Sequence, residues 1–230
     1  MRSKTSSQKK KNKPLRGKHL LINAGPTQEP IDPVRFISNY SSGKMGIALA
    51  EAAAEYGAEV ELVIGPVSRL SENKSIKIIK VITAENMADE CINRFNKCDI
   101  AILAAAVADY TPEEVAGTKL KRTGSEIIMR LKPTRDIAAA LRKLKKKTQI
   151  IAGFALETDN EIANATLKLK SKNLDLIVLN SLKDKGAGFG LDTNLITIID
   201  SNNNIDKFEL KSKEDAARDI LDKIVSILKS

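Results

Sequence analysis

HLLINAG, residues 19–25, is followed after a proline-rich stretch by RFISNYSSGKMGIALAEAAAEYG, residues 35–57, and then by EVELVIG, residues 59–65. The first and last segments are short apolar runs ending in glycine, which reads as two buried strands. The alanine-rich segment after Lys44 reads as a helix. A strand, a helix and a strand in this order form a right-handed unit whose two strands are parallel neighbours. In sheets built from such units, ligands bind beyond the carboxyl ends of the strands. The loop ahead of the helix therefore holds the residues of interest: Ser41, Ser42, Gly43, Lys44 and Gly46, with Arg35 and Asn39 upstream. Free amides and the positive end of the helix dipole make such a start an anion cradle, and Gly43 and Gly46 let a phosphate approach the backbone. Ser-Ser-Gly is also an ordinary helix cap, so the loop alone leaves both readings open.

The same alternation continues outward. IKIIKVI (76–82) reads as a third strand, Thr83 as the N-cap of a helix reaching about Lys97, and DIAILAAAVADY (99–110) as a fourth strand. Strict alternation over the first 110 residues indicates a parallel sheet covered on both faces. The rhythm breaks after Tyr110, where TKLKR and EIIMRL read as an antiparallel pair that projects as a flap. It resumes with a helix from Asp136, the strand TQIIAGFAL, a helix from Asn160 to Lys172 and the strand LDLIVLN. DKGAGFG is a glycine-rich loop. NLITIID, SNNN and IDKFEL make a terminal hairpin, and Ser212 with Asp215 opens a last amphipathic helix. The fold expected is thus α/β: a Rossmann-like three-layer sandwich with a mostly parallel sheet, a projecting flap and a C-terminal β-hairpin.

Composition narrows the function. The 230 residues are 42% hydrophobic, enough for a sizeable core. The net charge of +9 is concentrated: residues 1–20 hold eight basic side chains and no acidic one, leaving 30 basic against 29 acidic. Residues 1–16 read as a disordered basic tail or linker, and 17–230 as one domain. With 3% aromatics and a nearly neutral remainder, no nucleic-acid partner is expected. No apolar run spans a bilayer and no secretory signal is visible, so no membrane association and a cytoplasmic location are expected. Cys91 and Cys98 lie two turns apart on one helical stretch and read as buried thiols.

Three loops leaving strand ends should converge on one crevice: residues 24–46, AAAVADYTP (104–112) and GFALET (153–158). The common fingerprints are absent from them. Ser38 stands where a Walker loop needs its first glycine, and Met45 follows the lysine. The first turn lacks G-x-G-x-x-G and the second strand ends without an acid, which disfavours a nicotinamide reductase. His19 is the lone histidine, which excludes histidine triads and histidine metal clusters. What remains is cationic: Arg35, Lys44, Lys119, Lys121, Lys168 and Lys172, an inventory suited to a polyphosphate and a carboxylate.

Six segments, in order, closely resemble a known family: AGPTQEPIDPVRFISNYSSGKMG, AAAVADY, KLKR, GFALETDN, KLKSKNLDLIVLN and GFGLDTN. The family is phosphopantothenate–cysteine ligase, the second half of the bacterial bifunctional flavoprotein of coenzyme A biosynthesis, and the likeness covers roughly residues 17–226. The resemblance implies a ligase that turns 4′-phosphopantothenate and CTP into an acyl-cytidylate and pyrophosphate. L-cysteine then displaces CMP to give the amide. It implies Mg2+, no flavin in this chain, a homodimer with shared active sites, and a flavin-dependent decarboxylase half ahead of the domain.

Carried over by residue, Asn39 matches the asparagine that holds the carboxylate and the acyl-cytidylate. Arg35 matches an arginine presented to the pantothenate, in relatives from the partner subunit. Ser41, Ser42, Gly43 and Gly46 match the phosphate cradle. Ala105, Ala106 and Asp109 match the stretch against substrate and nucleotide, with Asp109 toward the magnesium. Lys119 matches a flap lysine needed for turnover, and Gly153, Phe154, Lys168 and Lys172 match nucleotide contacts. Two departures stand out. Asn23 replaces the common threonine or serine before Ala24 and Gly25, and KPTRDI (132–137) places Pro133 earlier than the usual motif. Use of ATP, or a nucleotide-binding module without turnover, are the alternatives.

Overall fold

The structure is a computed structural model that describes residues 13–122, 124, 126–157, 159–181 and 190–229. The chain runs β1 (His19–Ala24), β2 (Gln28–Pro30), β3 (Phe36–Ser38), α1 (Lys44–Glu55), β4 (Glu59–Ile64), β5 (Ile76–Lys80), α2 (Ala84–Phe95) and β6 (Ile100–Leu103). It continues with β7 (Tyr110–Pro112), β8 (Leu131–Pro133), α3 (Ile137–Leu144), β9 (Ile150–Glu157), α4 (Glu161–Ser171) and β10 (Leu176–Ser181). The last elements are β11 (Thr193–Asn194), β12 (Ile196–Asp200), β13 (Ile205–Lys207), β14 (Lys211–Ser212) and α5 (Lys213–Lys229). Eight strands form one sheet in the order β13-β12-β10-β9-β6-β1-β4-β5. The six from β5 to β10 are parallel, and β12 and β13 add the expected hairpin at one edge.

The alternation of side chains along the strands separates two cores. Leu20, Ile22, Leu62, Ile102 and Val178 face α1 and α5. Leu21, Val63, Ala101, Ile151 and Ile177 face the α2, α3 and α4 side. Apolar residues on both faces are what a central parallel strand requires. The helix starts follow local chemistry: Thr83 accepts from the Asn86 N–H, Asp136 from the Ala139 N–H, and Ser212 from the Asp215 N–H.

Several expectations need correction. Alternation is not strict: β4 passes to β5 through residues 65–75 without a helix, and Val67 and Leu70 of that loop pack on the core instead. Its Pro66 and its run of short polar residues supply no helical period. The strand expected over DIAILAAAVADY ends at Leu103, and residues 104–109 belong to no strand before β7 begins at Tyr110. In the flap, TKLKR and EIIMRL form no ladder. Pairing is confined to β7 with β8, extended by one bond from the Glu113 N–H to the Arg130 carbonyl. A two-stranded ribbon with no face to bury is marginal, and Ile128 at the tip is exposed.

The expected tail ends too late. Leu15 is fully buried in the α1 and α5 core, and its N–H bonds the Tyr56 carbonyl, so Lys13–Arg16 belong to the folded part. Cys98 lies past the end of α2 rather than on it, though both thiols are buried. Most of DKGAGFG lies outside the described residues.

Candidate functional site

Strand β1 sits mid-sheet, with β4 on one side and β6 on the other, so chain direction across the sheet reverses between β1 and β6. The N-terminus of α1 lies at this switch point. Its N-cap is Gly43, in the left-handed region at φ 75, with no side chain capping the helix. A Cβ at Gly43 would stand 2.7 Å from Val67 Cγ1, so both conformation and space demand glycine. Gly46 has a different reason. A Cβ there would collide with Ala24, so this glycine lets α1 lie close on β1. The first-turn amides, which have no intrahelical partner, open into a crevice lined by Ser41, Ser42, Ala104, Leu156, Asn180 and Asn194.

The strip that follows β6 is held from the β1 side. The Ala104 N–H bonds the Asn23 carbonyl, the Ala105 N–H bonds Asn23 Oδ1 at 3.0 Å, and the Ala106 N–H bonds the Gly25 carbonyl. Asn23, at 2% exposure, thus secures the strip with its side chain as well as its backbone. Asn39 reaches the same strip. Its Nδ2 donates to the Ala106 and Val107 carbonyls at 3.0 and 3.1 Å. Both amide hydrogens are used by the protein, and Oδ1 is the end left for other partners. Holding a carboxylate, which needs donors, requires Nδ2 to leave one of these carbonyls. Asp109 follows on the strip and is exposed. Among the described residues no group of three or more His, Cys, Asp and Glu is placed to hold a metal. Asp109 would therefore serve Mg2+ as a single carboxylate beside oxygens brought by a nucleotide.

The remaining predicted residues fall into separate groups. Arg35 forms a two-pronged ion pair with Asp32 and donates to the Leu120 carbonyl at 2.9 Å. Asp32 also accepts from the Leu120 N–H, so this knot ties the flap to the loop after β2. The Arg35 guanidinium holds the Asp32 carboxyl well below the usual range. Lys119, one residue before the anchor, is exposed on the flap. Lys168 donates to the Phe154 carbonyl at 3.0 Å and Lys172 pairs with Asp136. Burial raises the Asp136 pKa, but the bond from Lys172 and the Ala139 N–H outweigh it and hold the carboxyl low. Gly153 is buried in β9, where an added Cβ would press on Leu174.

The sequence reading missed part of the crevice. Lys44, placed in the cradle loop and among the nearby cations but given no partner, donates to the Gly190 carbonyl at 2.8 Å and pairs with Asp192 at 2.6 Å. Lys213, not singled out in the sequence, is 6% exposed and donates to the Leu191 and Thr193 carbonyls. Burial, then the charge of Lys44, pushes its pKa down. Asn180 lines the crevice with a buried Oδ1 that has no partner among the described residues. Only its place at the end of LDLIVLN signalled it. A wider groove of about 340 Å³ continues past Lys44 toward Arg69 and Glu72.

A mostly parallel sheet flanked by helices on both faces, with an uncapped, glycine-built helix start at its switch point, defines an α/β protein of the Rossmann-like three-layer class. More narrowly, the chain belongs to the family described as the DNA/pantothenate metabolism flavoprotein C-terminal domain, whose model matches residues 15–228. The C-terminal domain of the coenzyme A biosynthesis bifunctional protein CoaBC superposes with a TM-score of 0.81 at 38% identity, covering 94% of this chain and 98% of that one. A Cab2 variant in complex with phosphopantothenate-cysteine shares the fold, with a TM-score of 0.72 at 19% identity over 94% and 90% of the two chains. CoaBC of Bacillus subtilis is 46% identical over 94% of this chain and 53% of its own length. A protein named cysteine/cysteine sulfinic acid decarboxylase, from an unknown prokaryotic organism, is 60% identical over 97% of this chain and 62% of its own length. The chain thus spans between half and two thirds of these curated relatives.

Proposed function

We propose that this chain joins 4′-phosphopantothenate to L-cysteine, consuming CTP and releasing CMP and pyrophosphate. The observation that carries the reading is the uncapped cradle at Gly43–Gly46 beside the strip that carries Asp109 and is bonded by Asn39. It occurs in a chain 46% identical to a coenzyme A biosynthesis protein. In the first step a carboxylate oxygen attacks the α-phosphorus of the nucleotide and pyrophosphate departs, leaving an acyl-cytidylate. In the second the cysteine amine attacks the acyl carbon, the acyl–oxygen bond breaks toward CMP, and the amine gives up a proton. Such chemistry rests on alignment and charge stabilisation. The helix-start amides, Lys44 and Lys213 supply positive potential at the cradle, and Mg2+ held with Asp109 would neutralise the departing pyrophosphate.

No enzyme nucleophile is required. Burial pushes the Cys91 and Cys98 thiols up to about 12, which keeps both protonated and inert. A homodimer with shared sites accounts for the exposed Val34, Phe36, Tyr40, Tyr110, Ile128 and Leu131, which belong to the β2–β3 hairpin, its exit loop and the flap. Lys119, also on the flap, would then act at the crevice of either copy. We assign the decarboxylase name to the part of that relative outside the match, where a flavin-dependent half would sit. ATP in place of CTP is the alternative within the same chemistry. The test is pyrophosphate release with 4′-phosphopantothenate and Mg2+, comparing CTP with ATP, with and without cysteine. CTP-selective release and a cysteine-dependent amide by mass spectrometry are expected. Folded protein that releases no pyrophosphate with either nucleotide overturns the reading.

A further inference from the structure

The strip carrying Asp109 has left the sheet, so ladder bonds no longer set its direction, yet one residue on it is gripped from two sides. Ala108, 5% exposed, donates its N–H to Thr27 Oγ1 at 3.0 Å. Its carbonyl accepts the Thr134 hydroxyl at 2.6 Å, and the Thr134 N–H bonds the next carbonyl, that of Asp109, at 2.9 Å. The two threonines come from different segments, one just ahead of β2 and one just after β8. They use opposite polarities of the same group: Thr27 accepts and Thr134 donates. Thr27 is fully buried and does a second job, since its carbonyl accepts the Ser38 hydroxyl at 2.7 Å, next to Asn39. Asn39 in turn donates to the Ala106 and Val107 carbonyls of the same strip. Asp109 and Asn39, 70 positions apart in the sequence, thus share one frame.

We infer that Thr27 and Thr134 are positioning residues that fix Asp109 and Asn39 relative to each other for the reaction. This rests on the reading that those two side chains meet the substrate. A valine at either position keeps the branched shape and removes the hydroxyl, whereas a serine keeps the hydroxyl. Removing the acceptor at Thr27 leaves the buried Ala108 N–H unpaired, and removing the hydroxyl at Thr134 leaves the Ala108 carbonyl beside Asp109 without that donor, the main-chain bond from Thr134 to Asp109 remaining. Misplacement of a reacting group by about an ångström is enough to lower a rate by roughly ten- to a hundredfold.

The test uses the full chain with Thr27→Val, Thr134→Val, Thr27→Ser and Thr134→Ser. It reads kcat and KM for both substrates, the thermal midpoint, and hydrogen exchange of the unliganded protein by mass spectrometry. Each valine variant is expected to lose roughly ten- to a hundredfold in kcat with KM within about threefold, and each serine variant to stay within about threefold. Exchange should rise in peptides covering 104–112 and not in those covering α1. Folded valine variants with wild-type kcat, or serine variants as impaired as the valines, overturn the inference. Should Thr27→Val fail to fold, the half-buried Thr134 pair decides alone. If the wild type shows no ligation the proposed function falls separately, and unchanged exchange in the valine variants then overturns the clamp itself.

Discussion

Asn39 is the residue whose chemistry is most constrained by its surroundings. With both amide hydrogens committed to the Ala106 and Val107 carbonyls, its replacement by aspartate puts a carboxylate against two carbonyl oxygens. Asn39→Asp is expected to keep the fold and to lower amide formation by at least about tenfold, with the acyl-cytidylate step or its use impaired; quenched-flow mass spectrometry of the intermediate checks it. Lys119→Gln is expected to lower turnover by a similar factor without moving the thermal midpoint, because the lysine is exposed. Wild-type rates would remove either role. At this scale the sequence was informative about residue types and silent about their partners. The bond from Arg35 to the Leu120 carbonyl, and those from Asn39 to the Ala106 and Val107 carbonyls, depend on segments meeting from distant parts of the chain. Lys213 escaped notice because a lysine beginning a helix is ordinary until its burial is known.

Among the elements, the flap is where local pattern and outcome part. TKLKR and EIIMRL have strand-like composition, but a ribbon away from the sheet buries too little to form, and the anchoring falls to one buried carboxylate. Asp32 receives the Val34, Arg35 and Leu120 amides together with the Arg35 guanidinium. Its folded pKa is depressed, so its contribution is fully present above the ordinary carboxylate range and fades only as pH falls below it. Flap protection measured by hydrogen exchange should therefore be flat from neutral pH down to about 5 and drop in stronger acid. Asp32→Asn is expected to raise exchange in residues 113–122 at neutral pH and to lower turnover. Unchanged exchange would show that the flap is held otherwise. The strands and the helix caps, by contrast, were legible because each is dictated by neighbours within a few residues: Thr83, Asp136 and Ser212 cap as their spacing implies.

For the molecule as a whole, the mostly parallel sheet and its two covered faces followed from the apolar runs, whereas the strand order came only with the structure. Ile22, fully buried in the central strand, reports on this architecture: Ile22→Ala is expected to cost about 2–5 kcal/mol in chemical denaturation, with the slope of the transition unchanged. A cost below about 1 kcal/mol would mean that the centre is loosely packed. Both cysteines should resist thiol reagents until the chain unfolds. What no single sequence could supply is the way the loop after β4 replaces a helix, because Val67 and Leu70 find the core only once α1 and the strands are in place.

The burial of Leu15 against the last turn of α1 has a geographical meaning. The helix starts at the crevice and carries the chain about 18 Å away from it before Tyr56 receives the Leu15 amide. Lys13, where the described residues begin, therefore stands near the rim of the domain opposite the crevice, and the two ends of α1 divide the labour: one fastens the start of the fold, the other frames the site.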